Sequence, residues 1–160
     1  MEEEMKSPTL AEASGASGQL DALYGTWRLL SWTREVVGTG ERSDIFGPAP
    51  HGFITYTRDG RMSSIVVKEN RHKPDDSAKV TDVERAGLFS SMVAMAGAFT
   101  VDGDRVIHRI DISWNETWTG TSQVRHFLID GKRLTIRTNP GPSPIDGKPS
   151  IATLIWEKVE

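Results

Sequence analysis

Three Asp-Gly pairs, Asp59-Gly60, Asp102-Gly103 and Asp130-Gly131, each stand between two runs rich in β-branched and aromatic residues. A pair of this kind is a strong short-range hairpin signal, because glycine takes the positive φ that a tight turn matched to strand twist demands. The paired runs are Phe53–Thr57 with Met62–Lys68, Ala98–Val101 with Arg105–Ser113, and Thr121–Ile129 with Arg133–Thr138. A long run, Thr26–Val37, precedes them, and Ser150–Val159 follows. The total is eight strands. Sequential antiparallel strands within one domain must dispose of two free edges, and an up-and-down barrel does so by closure. Eight strands leave an interior wide enough for one small ligand. With 160 residues the chain is long enough for one domain with a sizeable core.

Thr81-Asp82-Val83-Glu84 reads as a helix-starting capping box. The pattern predicts one helix over about 81–96, packed on the barrel or capping it, with Gly97 just past its end. On that reading Met92 and Met95 lie on the helix and form either a pliable lid or ordinary core. Residues 1–18 are acidic, then small and polar, and read as a disordered tail. That leaves 19–160 as the barrel domain, entered by a short helical turn through Gln19–Tyr24. A secretory signal's basic start and apolar stretch are missing, so a cytoplasmic location is the default expectation. No apolar run reaches the length of a membrane span.

Zero cysteines exclude thiol catalysis and cysteine-held metals. The four histidines show no ligand spacing, so no metal is expected, and without GxGxxG or a P-loop no nucleotide cofactor is expected either. A net charge of −3 argues against a nucleic-acid partner.

Gly25-Thr26-Trp27-Arg28-Leu29 resembles the Gly-x-Trp opening of the calycin barrels. An ordered set of further pieces strengthens the likeness: Phe46-Gly47-Pro48, Tyr56-Thr57, Asp59-Gly60, His108, Trp118-x-Gly120, Gln123-Val124-Arg125 and Leu154-x-Trp156-Glu157-Lys158. Over about residues 22–160 the chain resembles the small lipocalin-like domain family. It departs at Phe99, where the family leads one to expect tyrosine. The resemblance implies an eight-stranded antiparallel calycin-type barrel with an interior cavity.

Alternation along the strands proposes which side chains reach that cavity. In the first strand Trp27, Leu29, Ser31 and Thr33 share one face. Leu30, Trp32 and Ile54 then fall outside as an apolar patch, a possible homodimer contact. In Arg105–Ser113 the apolar face is Val106, His108, Ile110 and Ile112, which points His108 inward. Gln123, Arg125, Phe127 and Ile129 share a face of the neighbouring strand. His108 is the candidate acid/base. Arg125 either holds a ligand carboxylate or phenolate, or packs across Trp27 to close the barrel floor. Gln123 could orient a carbonyl, and Tyr56 could donate into the cavity. Trp114 and Trp118 flank a turn at the barrel rim, as stacking surfaces or a satellite core. Trp27 and Trp156 are expected in the core. The functional expectation is binding of a small apolar or aromatic molecule, with His108 and Arg125 beside Tyr56, Trp114, Trp118, Gln123, Met92 and Met95. The alternative is a cofactor-independent isomerase, cyclase or lyase acting on a polyketide-, terpene- or phenol-like substrate in the same cavity.

Overall fold

A computed structural model describes residues 18–159, and its strands follow the hairpin pattern. The long strands are β1 (Gly25–Val36), β3 (His51–Tyr56), β4 (Arg61–Val67), β5 (Met92–Asp102), β6 (Arg105–Ser113), β7 (Ser122–Asp130), β8 (Arg133–Thr138) and β10 (Pro149–Lys158). Two short strands, β2 (Arg42–Asp44) and β9 (Gly141–Pro142), extend β1 and β10. The long strands pair antiparallel in the order β1-β3-β4-β5-β6-β7-β8-β10, and β10 returns to β1, closing an eight-stranded barrel. Gly103 and Gly131 open two-residue turns at φ 60° and 58°, where any side chain would be strained. The expected tail over residues 1–18 lies outside the described residues apart from Gly18, which is helical together with residues 19–23; this described stretch is α1.

The barrel has a closed end and an open end. At the closed end, α1 delivers Leu23, whose carbonyl accepts the Trp27 indole N–H at 2.9 Å. Lys158 Nζ sits 4.6 Å above the Trp27 ring and donates to the Tyr24 carbonyl. The cation that closes the floor on Trp27 is therefore Lys158. Arg125 does not pack there.

The second helix, α2 (Asp82–Ser90), is shorter than the sequence predicts. Its start is as expected: Thr81 accepts from the Glu84 amide while the Glu84 carboxylate accepts from the Thr81 amide. It stops at Ser90, and Met92–Ala96 become the first half of β5. The physical reason is the barrel itself. Val67 to Arg61 need a hydrogen-bonded neighbour, and Met92–Ala98 supply it residue for residue. The helix alternative would bury little, since no residue of α2 is buried and Val83 is 83% exposed. Met92 and Met95 are strand residues, not a helical lid, and Gly97 is mid-strand.

Two β-bulges reset which side chains face inward. On β1, Leu29 pairs with Trp156 and Ser31 with Ile155, so Leu30 is an extra residue. Beyond it the inward set becomes Trp32, Arg34 and Val36, replacing the expected Ser31 and Thr33. Trp32 and Ile54 are buried, so the exterior patch expected of Leu30, Trp32 and Ile54 does not exist. On β6, Ala96 pairs with Ile112 and Gly97 with Ile110, making Asp111 the extra residue. Val106, His108 and Ile110 face inward as predicted, but Ile112 turns out and is 65% exposed. No helix among the described residues is long and apolar enough to cross a membrane.

Candidate ligand-binding site

The barrel interior holds a chamber of about 80 Å³. Its apolar walls are Ile54, Val66, Val93, Met95, Ile136, Ala152 and Leu154, with Trp32, Trp118 and Trp156 as aromatic walls. Its polar groups are few: Ser64, His108, Gln123, Arg125 and Thr138. Trp32, Trp118, Arg125, Thr138 and Ala152 also border an outer cleft of about 390 Å³ under the 139–150 loop. A second outer cleft of about 230 Å³ lies beside α2 and again includes Trp32 and Trp118. These two tryptophans stand where the three spaces meet.

Adjacent strands assemble the polar group. His108 on β6 faces Gln123 on β7, and Val106 faces Arg125, so the three side chains project from one small area of wall. The Arg125 guanidinium donates to Gln123 Oε1 at 2.9 Å and to the Val124 carbonyl at 3.1 Å. From across the interior, the Tyr56 hydroxyl meets His108 Nε2 at 2.8 Å. The His108 tautomer sets which of the two groups donates in this bond. Burial pulls the His108 pKa down to about 3, with the nearby Arg125 charge adding to the effect. Burial pushes the Tyr56 phenol well above its usual range, opposed by Arg125. Burial also lowers the Arg125 pKa, against an opposing pull from Tyr56, yet a guanidinium stays charged at neutral pH. His108 and Tyr56 are therefore both neutral there. His108 Nδ1, Trp32 Nε1 and Trp156 Nε1 are buried without a hydrogen-bond partner among the described residues.

Five of the predicted residues line the inner chamber: Met95, His108, Trp118, Gln123 and Arg125. Tyr56 does not; it lies deeper, its ring against Phe99 at 4.9 Å, and acts on the chamber through His108. Trp114 and Met92 border only the outer cleft beside α2. There Trp114 donates its indole N–H to the Phe89 carbonyl at 3.1 Å and packs edge-on to Trp118 at 4.9 Å. Sequence reasoning missed Trp32, Ser64, Thr138 and Trp156 as lining residues. Ser64 and Thr138 were within reach, since alternation places Ser64 with Met62 and Val66, and Thr138 with Leu134 and Ile136. Trp32 was not, because the Leu30 bulge reverses its facing.

The mouth is fastened from outside. Arg34, inward-facing beyond the β1 bulge, donates twice to Asp146 of the 139–150 loop, both at 2.7 Å. This pairing holds the Asp146 carboxyl down at about 2.

Residues 24–159 match the model of a family described as the lipocalin-like domain. The chain is 31% identical over 108 residues to the 4'-hydroxy-3'-methoxypropiophenone carrier protein of Aspergillus oryzae, an alignment spanning 61% of this chain and 96% of that protein. It also aligns with the crystal structure of a lipocalin-like protein from Bacteroides uniformis, at 12% identity and a TM-score of 0.46, over 86% of this chain and 98% of that one.

Proposed function

Because the chain belongs to the lipocalin-like domain family, we propose that it is a binding protein holding one small aromatic molecule in the inner chamber and its mouth. The observation that carries this reading is the lining itself. Three tryptophans and a set of aliphatic side chains enclose a few convergent polar groups, the composition of a small-molecule pocket rather than of a solid core. The fungal relative is named as the carrier of an aryl ketone, and that compound is a natural first ligand to try.

Trp32, Trp118 and Trp156 make the test direct. A bound aromatic should quench tryptophan fluorescence with saturation. At a hundredfold excess over Kd it should stabilise the fold by about 2.7 kcal/mol, raising Tm by roughly 5–10 °C for a domain of this size. No quenching and no thermal shift across a panel of one- and two-ring aromatics would end the proposal.

The enzymatic alternative draws on His108 and Arg125 bordering the same chamber. A histidine held near pKa 3 is a weak base at neutral pH. That weighs for binding over proton transfer.

A further inference from the structure

We propose that the preferred occupant is an aromatic oxyanion, a phenolate or arenecarboxylate whose charged oxygen meets Arg125; the proposal rests on the ligand-binding reading above. Arg125 carries an unbalanced charge. Arg125 bonds only neutral oxygens, Gln123 Oε1 and the Val124 carbonyl, and no carboxylate lies within ion-pair distance among the described residues. Arg34 at the mouth is the contrast, clamped by Asp146. A cation inside low-dielectric walls without a counter-ion is costly, and an anion delivered there gains more than it would in water.

The other groups favour the same ligand. Trp32, Trp118 and Trp156 give the chamber aromatic walls on which a ring can pack. The Gln123 oxygen is already engaged by Arg125. The chamber thus sets one positive charge beside the neutral hydroxyls of Ser64 and Thr138, among apolar walls suited to a ring. The titratable groups around Arg125 do not compensate it. Tyr56 from β3 and His108 from β6 are both neutral at neutral pH, and Arg34 and Asp146 beyond the outer cleft satisfy each other.

The test uses 4-nitrophenol, whose conjugate base is coloured, against its methyl ether 4-nitroanisole, which has the same ring and cannot ionise. Titrated with the full-length protein, the phenol should show its phenolate absorbance at lower pH than when free. A preference of about tenfold for the anion corresponds to a fall of about one unit in the bound phenol's pKa. Arg125→Gln should abolish the preference between the two compounds, while Arg125→Lys, which keeps the charge, should retain it. If Arg125→Gln fails to fold, the wild-type absorbance shift decides the matter. Benzoate against benzamide, read by tryptophan quenching, tells carboxylate from phenolate preference; an anion preference in either pair supports the proposal. Equal affinity within both pairs, or a raised phenol pKa, overturns the oxyanion assignment and leaves ligand binding intact. No binding by any of the four, nor by the wider aromatic panel, overturns both.

Discussion

Gly97 offers a severe test of the bulged register. A Cβ placed on it would lie 1.9 Å from the Arg109 carbonyl oxygen, 2.7 Å from its carbon and 3.0 Å from Ile110 Cα. All three are backbone atoms of β6, so no side chain can rotate away. Ordinary contact begins near 3.4 Å, and β6 would have to retreat by more than 1 Å. It is not free to do so, since the Ile110 amide donates to the Thr121 carbonyl at 2.9 Å and the Ile110 carbonyl accepts from Gly120 at 2.8 Å. Overpacking usually costs about 1–3 kcal/mol. With backbone as the obstacle, Gly97→Ala belongs at the top of that range, about 3 kcal/mol, or a fall in Tm of roughly 6–12 °C. Gly87 supplies the control. It lies in exposed α2, has negative φ and would bring no atom within 4 Å of a new methyl group. Gly87→Ala should gain about 0.5–1 kcal/mol. Thermal and urea unfolding followed by tryptophan fluorescence measure both. A Gly97→Ala protein that melts with the wild type would falsify the bulge register and, with it, the facing assigned to Ile112.

His108 should make the fold acid-sensitive. Its ring titrates near 3 when folded and near 6.5 when unfolded, so the unfolded chain takes the proton first. Stability is therefore full above about 6.5 and falls as pH drops towards 3, by on the order of 1.4 kcal/mol per pH unit. A pH series of urea unfolding should show that slope, and His108→Gln should flatten it. Asp146→Asn should loosen the mouth, read as faster hydrogen exchange at the Gly147 and Lys148 amides, which bond to Ser143 and to Asp146 itself. The depressed Asp146 pKa means that this fastening holds above the usual carboxylate range and is lost as pH falls through about 2. Lys158→Met removes the cation from Trp27 and the bond to Tyr24. It should cost about 1 kcal/mol in denaturant unfolding, and unchanged stability would leave the closed end without its assigned clasp.

How far the sequence could be read depended on whether local rules met a competing global one. The three Asp-Gly hairpins and the Thr81–Glu84 capping box are local devices, and both formed where the residues placed them. That Gln123, Arg125 and Phe127 share one face of β7 was readable, because no bulge interrupts the strand, but neither face is cleanly apolar, so which of them lines the barrel was not. The end of α2 was not. Met92–Ala96 suit helix or strand about equally, and the need to satisfy β4 decided between them. The floor-closing alternative for Arg125 falls only because Lys158 occupies the Trp27 ring, which no local pattern around Arg125 shows.

One of the less readable features, the β1 bulge, also builds the site. A strict period of two along β1 would place Ser31 and Thr33 in the barrel and Trp32 outside it. The single extra residue, Leu30, instead brings in Trp32 as a wall common to the chamber and both clefts. It also brings Arg34 to the mouth, where Asp146 can fasten the loop. On β6 the extra Asp111 ends the inward run at Ile110 and turns Ile112 out. That bulge is possible because Gly97 lets the Arg109 carbonyl come close. One-residue insertions re-aim whole strand halves. Here the β1 insertion exchanges small polar residues for an aromatic wall and a guanidinium at the open end, while the closed end keeps regular pairing from Gly25 to Arg28. The β1 bulge is therefore better understood as part of the pocket than as a defect of the sheet, whereas the β6 bulge lines none of the three spaces and gives its extra residue, Asp111, to Arg61.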